Sequence, residues 1–206
     1  MALATYTDLV ASVATWMNRT DLAAVIPDFV TMAESRISRD MRLRAQIVTA
    51  NLAVTGGVQN VAIPLDWLEF ENLSITLTGT QDTPIQYLTI EQMDAKYPNG
   101  GAQSRPFVYT IEGQSVLLGP IPDTNYVLGV LYYARFPALA TAGTNWLMTN
   151  FPTCYLYACL RAAALFTMND ERATYWDKLY IKTVRDVQDI DDEAAHSGSA
   201  LRVKFL

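Results

Sequence analysis

At both ends of this chain apolar residues recur at three- and four-residue spacing, and between them the sequence breaks into short apolar runs punctuated by proline, glycine and asparagine. Leu9, Val10, Val13, Trp16 and Met17 trace one face of an amphipathic helix. Thr7 offers an N-cap, Asp8 a favourable charge in the first turn, and Asn18-Arg19-Thr20-Asp21 a stop. Pro27 suits the start of a second helix, because its missing N–H would be unpaired there anyway. Phe29, Val30, Ala33, Ile37 and Met41 mark the apolar face of that helix to about Leu43.

The last third, Pro152 to His196, reads as two helices back to back. The first, Thr153–Met168, is apolar on nearly every side, with Cys154, Leu156, Tyr157, Cys159, Leu160, Leu165 and Phe166. The second, Asp170 to about Ala195, carries a stripe of Ala173, Trp176, Tyr180, Val184, Val187 and Ile190 and would be about 37 Å long. The tight link Met168-Asn169-Asp170 makes the two antiparallel neighbours.

Seven of the nine prolines fall between Pro64 and Pro137, so the middle leaves no room for a long helix. Ile47–Val54 and Val58–Ile63 flank Thr55-Gly56-Gly57, a hairpin signal. Phe70–Leu77 and Pro84–Leu88 read as a second pair, Ile90–Tyr97 as a short helix, and Phe107–Ile111, Val116–Leu118 and Tyr126–Phe136 as further strands. Residues 138–150 read as a loop, and 200–206 alternate like a strand. The expected class is α+β: a four-helix bundle from 1–45 and 150–196, an inserted antiparallel β sandwich or barrel-like unit at 46–149, and a strand-like tail at 197–206.

Composition narrows this picture. A chain of 206 residues with 50% hydrophobic and 17% charged residues has a globular balance. It can bury roughly 70–75% of its unfolded surface, so a core needs neither metal nor disulfide. Cys154 and Cys159, about 140° apart on a helix, diverge too far to bridge and read as core fillers in a reducing compartment. The apolar helix near 153–166 falls short of the ~20 residues that span a bilayer, and MALATYTDLV lacks the pattern of a signal peptide. The expectation is a soluble protein made in the cytosol, without membrane contact. A net charge of −6 argues against binding nucleic acid by bulk electrostatics.

Catalytic chemistry finds little footing. His196 has no nucleophile elbow nearby, and one histidine with two cysteines cannot close a zinc site. Gly56-Gly57 and Gly100-Gly101 are turns and not phosphate loops. Glu69 and Glu71 share a strand face beside Trp67 and Phe70, as a glycosidase pair could, or as a solvent-facing strand start would. Two charge clusters remain. Arg36, Arg39, Arg42 and Arg44 crowd the end of the second helix, either pairing with Glu34 and Asp40 or forming a docking patch. Asp186, Asp189, Asp191, Asp192 and Glu193 gather at the C-terminal end of the last helix, where they oppose its dipole. From Asp170 to Glu193 eight acids face four bases, so this stretch holds −4 of the total −6.

The first forty residues carry a resemblance. Tyr6-Thr7-Asp8-Leu9, Val13-Ala14-Thr15-Trp16, Arg19-Thr20-Asp21-Leu22 and Ile26-Pro27-Asp28-Phe29-Val30-Thr31-Met32-Ala33-Glu34-Ser35-Arg36-Ile37 through Asp40-Met41-Arg42 resemble the head-to-tail adaptors of short-tailed phages (podoviruses), the tail tubular protein A kind. The order helix pair, β insertion, helical hairpin and tail is similar over the whole chain. The resemblance implies a virion protein of the neck, assembled in the host cytoplasm as a ring of twelve subunits that joins the portal to the tail nozzle. It implies a lumen through which DNA passes without specific binding, no catalytic residues and no cofactor. An acidic lumen lets DNA slide where basic stripes would hold it. The candidate interface residues are Arg36, Arg39, Arg42, Asp189, Asp192, Glu193, Leu201, Val203 and Phe205. The rival reading is a carbohydrate- or receptor-binding tail module built on Trp67, Phe70, Tyr87 and Tyr109.

Overall fold

The computed structural model describes residues 3–19, 21–76, 82–98 and 101–195. Its helices are α1 (Tyr6–Met17), α2 (Ile26–Asp40), α3 (Ile90–Lys96), α4 (Leu139–Ala142), α5 (Trp146–Asn150), α6 (Pro152–Phe166) and α7 (Asp170–Ala195). Its strands are β1 (Ile47–Val54), β2 (Asn60–Ala62), β3 (Trp67–Thr76), β4 (Thr83–Pro84), β5 (Gln86–Tyr87), β6 (Val108–Glu112), β7 (Ser115–Gly119) and β8 (Tyr126–Ala134). The class is α+β. The chain divides into two compact units, Met1–Ala45 with Phe136–Leu206, and Gln46–Arg135.

In the first unit four longer helices share one core. Leu9 and Val13 of α1, Ile26, Phe29, Val30 and Ile37 of α2, Cys154, Tyr155, Cys159 and Leu160 of α6, and Tyr180, Val184 and Val187 of α7 are all buried together. Each large side chain removed from water this way contributes roughly 1.5–3 kcal/mol. The N-cap of α1 is Thr5, two residues before the expected Thr7. Thr5 Oγ1 accepts the Asp8 N–H at 3.2 Å while Asp8 Oδ2 accepts the Thr5 N–H at 3.1 Å. That reciprocal box satisfies two orphan donors, and Thr7 has only Val10 three residues on. α2 stops at Asp40, where Met41 turns extended.

Other expectations shift. Ile190, expected in the buried stripe of α7, is 51% exposed, and Leu165 and Phe166 at the end of α6 are also about half exposed. The stretch read as a loop, 138–150, holds α4 and α5. Asn145 caps α5 by accepting the Met148 N–H at 2.9 Å, and Leu139, Leu147 and Met148 enter the helical core. Helices of four and five residues are too short for a 3.6-residue period to register.

The second unit holds two sheets, in strand order β1-β8-β3-β4 and β2-β7-β6-β5. Val54, Leu73, Ile75, Leu128 and Val130 of the first share a core with Val61, Val116 and Leu118 of the second. The expected hairpin of β1 with β2 does not form. β1 pairs with β8 and β2 with β7, so the glycine turn carries the chain from one sheet to the other. The segment 122–125 grips that turn: Pro122 O accepts the Gly57 N–H at 2.7 Å, and Asn125 Oδ1 accepts the Gly56 N–H at 2.9 Å. Gly57 has φ +80°, and a Cβ on Gly56 would stand 3.0 Å from the Thr124 backbone, so both positions need glycine. The unit is also not wholly antiparallel. β5 leaves the expected pair after two β3–β4 contacts and joins β6 in parallel.

Candidate functional site

The arginine-rich end of α2 sits against α7 and α6 in a polar network. Arg36 Nη1 donates to Asp177 Oδ1 at 2.6 Å and Arg36 Nε to Asp40 Oδ2 at 3.2 Å. Its guanidinium lies 4.2 Å from the Tyr180 ring centre, and the Tyr180 hydroxyl donates to Asp40 Oδ2 at 3.2 Å. Arg161 Nε reaches the same Asp177 oxygen at 2.7 Å. Burial alone would lower the Arg36 pKa, but the bonds it donates to Asp177 and Asp40 outweigh that and raise it. Burial and the Asp40 charge push the Tyr180 hydroxyl up. The group is therefore a staple across α2, α6 and α7, with Arg36 held charged and Tyr180 held neutral at its centre.

The neighbouring arginines divide. Arg42 Nη1 donates to the carbonyls of Ser38 and Met41 at 2.8 and 2.7 Å, closing the end of α2. Arg44 gives both its backbone N–H (2.9 Å) and Nε (3.1 Å) to Asp191. Arg39 alone of the four stands out, its side chain 72% exposed beside Asp40. Glu34, expected as a partner for the arginines, instead accepts the Leu139 N–H at 2.7 Å.

The acidic end of α7 divides as well. Asp191 is held by Arg44 with only 15% of its side chain exposed, whereas Asp186, Asp189, Asp192 and Glu193 face solvent. His196 and the tail candidates Leu201, Val203 and Phe205 lie outside the described residues.

Two open features were not marked by the sequence. A groove of about 630 Å³ between α2 and α6 is lined by Phe29, Met32, Leu165 and Phe166 with Arg39 and Arg161 at its rim, and Met32 is 60% exposed. The other is the edge of β1, which ends its sheet.

Elsewhere the chemistry is bland. Burial pushes the Cys154 thiol up to about 12 and raises that of Cys159, so neither is a ready nucleophile. Glu69 and Glu71 lie exposed on a stretch of β3 whose register slips between Trp67 and Glu69 and again between Phe70 and Asn72. Trp67 and Phe70 pack at 5.1 Å on β3, while Tyr87 and Tyr109 pack at 5.6 Å on the other sheet, so the four aromatics form two pairs and not one platform. Among the described residues no three His, Cys, Asp or Glu side chains gather for a metal, and no helix is long and apolar enough to cross a membrane.

A family model described as SU10 adaptor protein matches residues 4–204. No curated protein matches the chain.

Proposed function

The chain belongs to the SU10 adaptor protein family, a family of phage structural adaptors and not of enzymes, and from that premise we propose that it forms a ring between the portal and the tail nozzle of the virion. The single observation that carries this reading is the family match over nearly the whole chain. Twelve copies encircle a channel for DNA, each with the four long helices as a bundle and the two sheets as a sandwich whose residues are inserted in the chain between α2 and α6. Assembly takes place in the host cytoplasm and the ring stays in the neck.

Charge supports the reading. Exposed Asp189, Asp192 and Glu193 on the last turns of α7 give a lumen that repels phosphates, which favours passage over binding. These acids and the exposed Arg39 at the rim of the α2–α6 groove are opposite in sign, as a head-to-tail contact between identical copies can use. Methionine, aromatic and arginine side chains such as Met32, Phe166 and Arg39 are the types enriched where proteins meet.

The test is electron microscopy of portals incubated with the purified chain. Closed rings of high rotational symmetry stacked on the portal are expected. Portals that gain no density at saturating protein would overturn the proposal.

A further inference from the structure

Strand edges left open are hazards, and proteins blunt them with charge, proline, bulges or cover. The first sheet of the second unit is open along β1 and along the part of β3 that the two-residue β4 leaves unpaired, and the two edges are treated differently. The exposed stretch of β3 carries two register slips and two glutamates, Glu69 and Glu71, and β4 covers its far end at Ser74 and Ile75. β1 has none of these devices. Its eight residues, Ile47 to Val54, hold no charge and no proline, and they pair with β8 in unbroken register. Alternate residues of such a strand turn N–H and C=O away from their partner. Among the described residues no second strand and no side chain bonds that edge.

The side chains repeat the message. The core-facing row of β1 is Val48, Ala50, Leu52 and Val54, opposite Tyr132, Val130, Leu128 and Tyr126. Tyr132 is 4% exposed, yet Val48 beside it is 38% exposed, so among the described residues the apolar layer is left open at the Val48 end of β1, while Val54 at the other end is 2% exposed. The outer row, Thr49, Asn51 and Ala53, is exposed and uncharged.

We propose that this edge receives residues 200–206 of a second copy as an added strand. The segment Ala200-Leu201-Arg202-Val203-Lys204-Phe205-Leu206 alternates as the site demands. Leu201, Val203 and Phe205 extend the apolar row, and Arg202 and Lys204 fall on the outer row, where no like charge on β1 opposes them. Seven residues suit an eight-residue edge, and 196–199 after α7 serve as the leash. The choice of a second copy rests on the ring reading, in which one such exchange repeats from subunit to subunit.

The experiment uses the chain truncated before Ala200 and a synthetic peptide of residues 197–206, followed by hydrogen–deuterium exchange. With saturating peptide, alternate amides of Ile47–Val54 should slow at least tenfold, and full-length chain assembled on portals should show the same protection. Unchanged β1 exchange in both settings overturns the inference. A disulfide test is independent of any variant that blocks the strand. Chains carrying only Asn51→Cys are mixed with chains carrying only Lys204→Cys, and the native Cys154 and Cys159, both fully buried, do not compete. Crosslinking between the two chain types is expected. If only the double variant crosslinks, and within one chain, the second-copy assignment is overturned. Rings that form with β1 unprotected would sink this inference and leave the ring standing. Protection of β1 by the peptide with no ring on portals would do the reverse.

Discussion

The end of α2 and the edge of β1 are opposites. The first holds four arginines within nine residues and looks, in sequence, like a surface made for a partner. In the folded chain Arg36 and Arg44 are bound to Asp40, Asp177 and Asp191, and Arg42 closes its own helix. The second is eight uncharged residues that look like an ordinary strand, yet its outer backbone groups meet no partner among the described residues. The difference teaches where to look for contacts in a chain that gathers its charges into clusters of either sign. Side-chain charges find opposite charges inside their own fold, whereas a regular, uncharged strand edge left to water stays a template on which another strand can pair.

The largest test of this contrast is Arg36→Ala against Arg39→Ala. Removing Arg36, whose side chain is 16% exposed, strips Asp177 and Asp40 of a shared partner and uncovers the Tyr180 ring. The partners are partly solvated, so the loss should be about 2 kcal/mol, below the 3–5 kcal/mol of a fully buried pair. Arg39→Ala should change stability by less than about 0.5 kcal/mol. Urea unfolding of the two variants reads the difference, and equal losses would break the contrast.

A smaller effect sharpens the division among the acids of α7. Asp191→Ala removes the acceptor for two Arg44 donors at a mostly covered site, and should cost about 1 kcal/mol. Asp189→Asn, on an exposed residue, should leave the melting curve unmoved and instead strengthen DNA retention in assembled rings, by lowering repulsion. A destabilised Asp189→Asn chain would mean that the acidic end is one structural unit after all.

How far the sequence carries the fold follows from the range of each signal. The long helices were legible because periodicity is local and so is the stop at Asn18, which turns left-handed after α1, whereas the start was read at Thr7 and lies at Thr5. Strand pairing is not local. Thr55-Gly56-Gly57 has the composition of a hairpin turn, and only contacts with Pro122 and Asn125, almost seventy residues on, turn it into a crossing between sheets. The same holds for the site. The acidic cluster of α7 was visible as a breach of the helix-dipole rule, but nothing in the sequence joins Asp191 to Arg44 across 147 positions. The bulges that protect β3, and whose absence marks β1, are invisible without the register.

The smallest effect concerns Glu34, the acid of α2 that escaped the arginines. Burial raises its pKa above the ordinary 4.5, and the bond from the Leu139 N–H opposes that rise without cancelling it. Between 4.5 and the folded pKa the native chain therefore binds more protons at this site than the unfolded chain. This contribution to stability is complete below 4.5 and is lost as pH rises through the folded pKa. Glu34→Gln keeps an oxygen for the Leu139 N–H and never ionises, so its melting temperature should overtake that of the native chain as pH climbs from 4.5 toward neutrality. The salt-bridged Arg36 should impose no such trend, since its guanidinium stays charged throughout. If the native chain instead gains on Glu34→Gln with rising pH, the carboxylate is held by its backbone bond more firmly than burial penalises it, and Glu34 belongs with the satisfied charges at the end of α2.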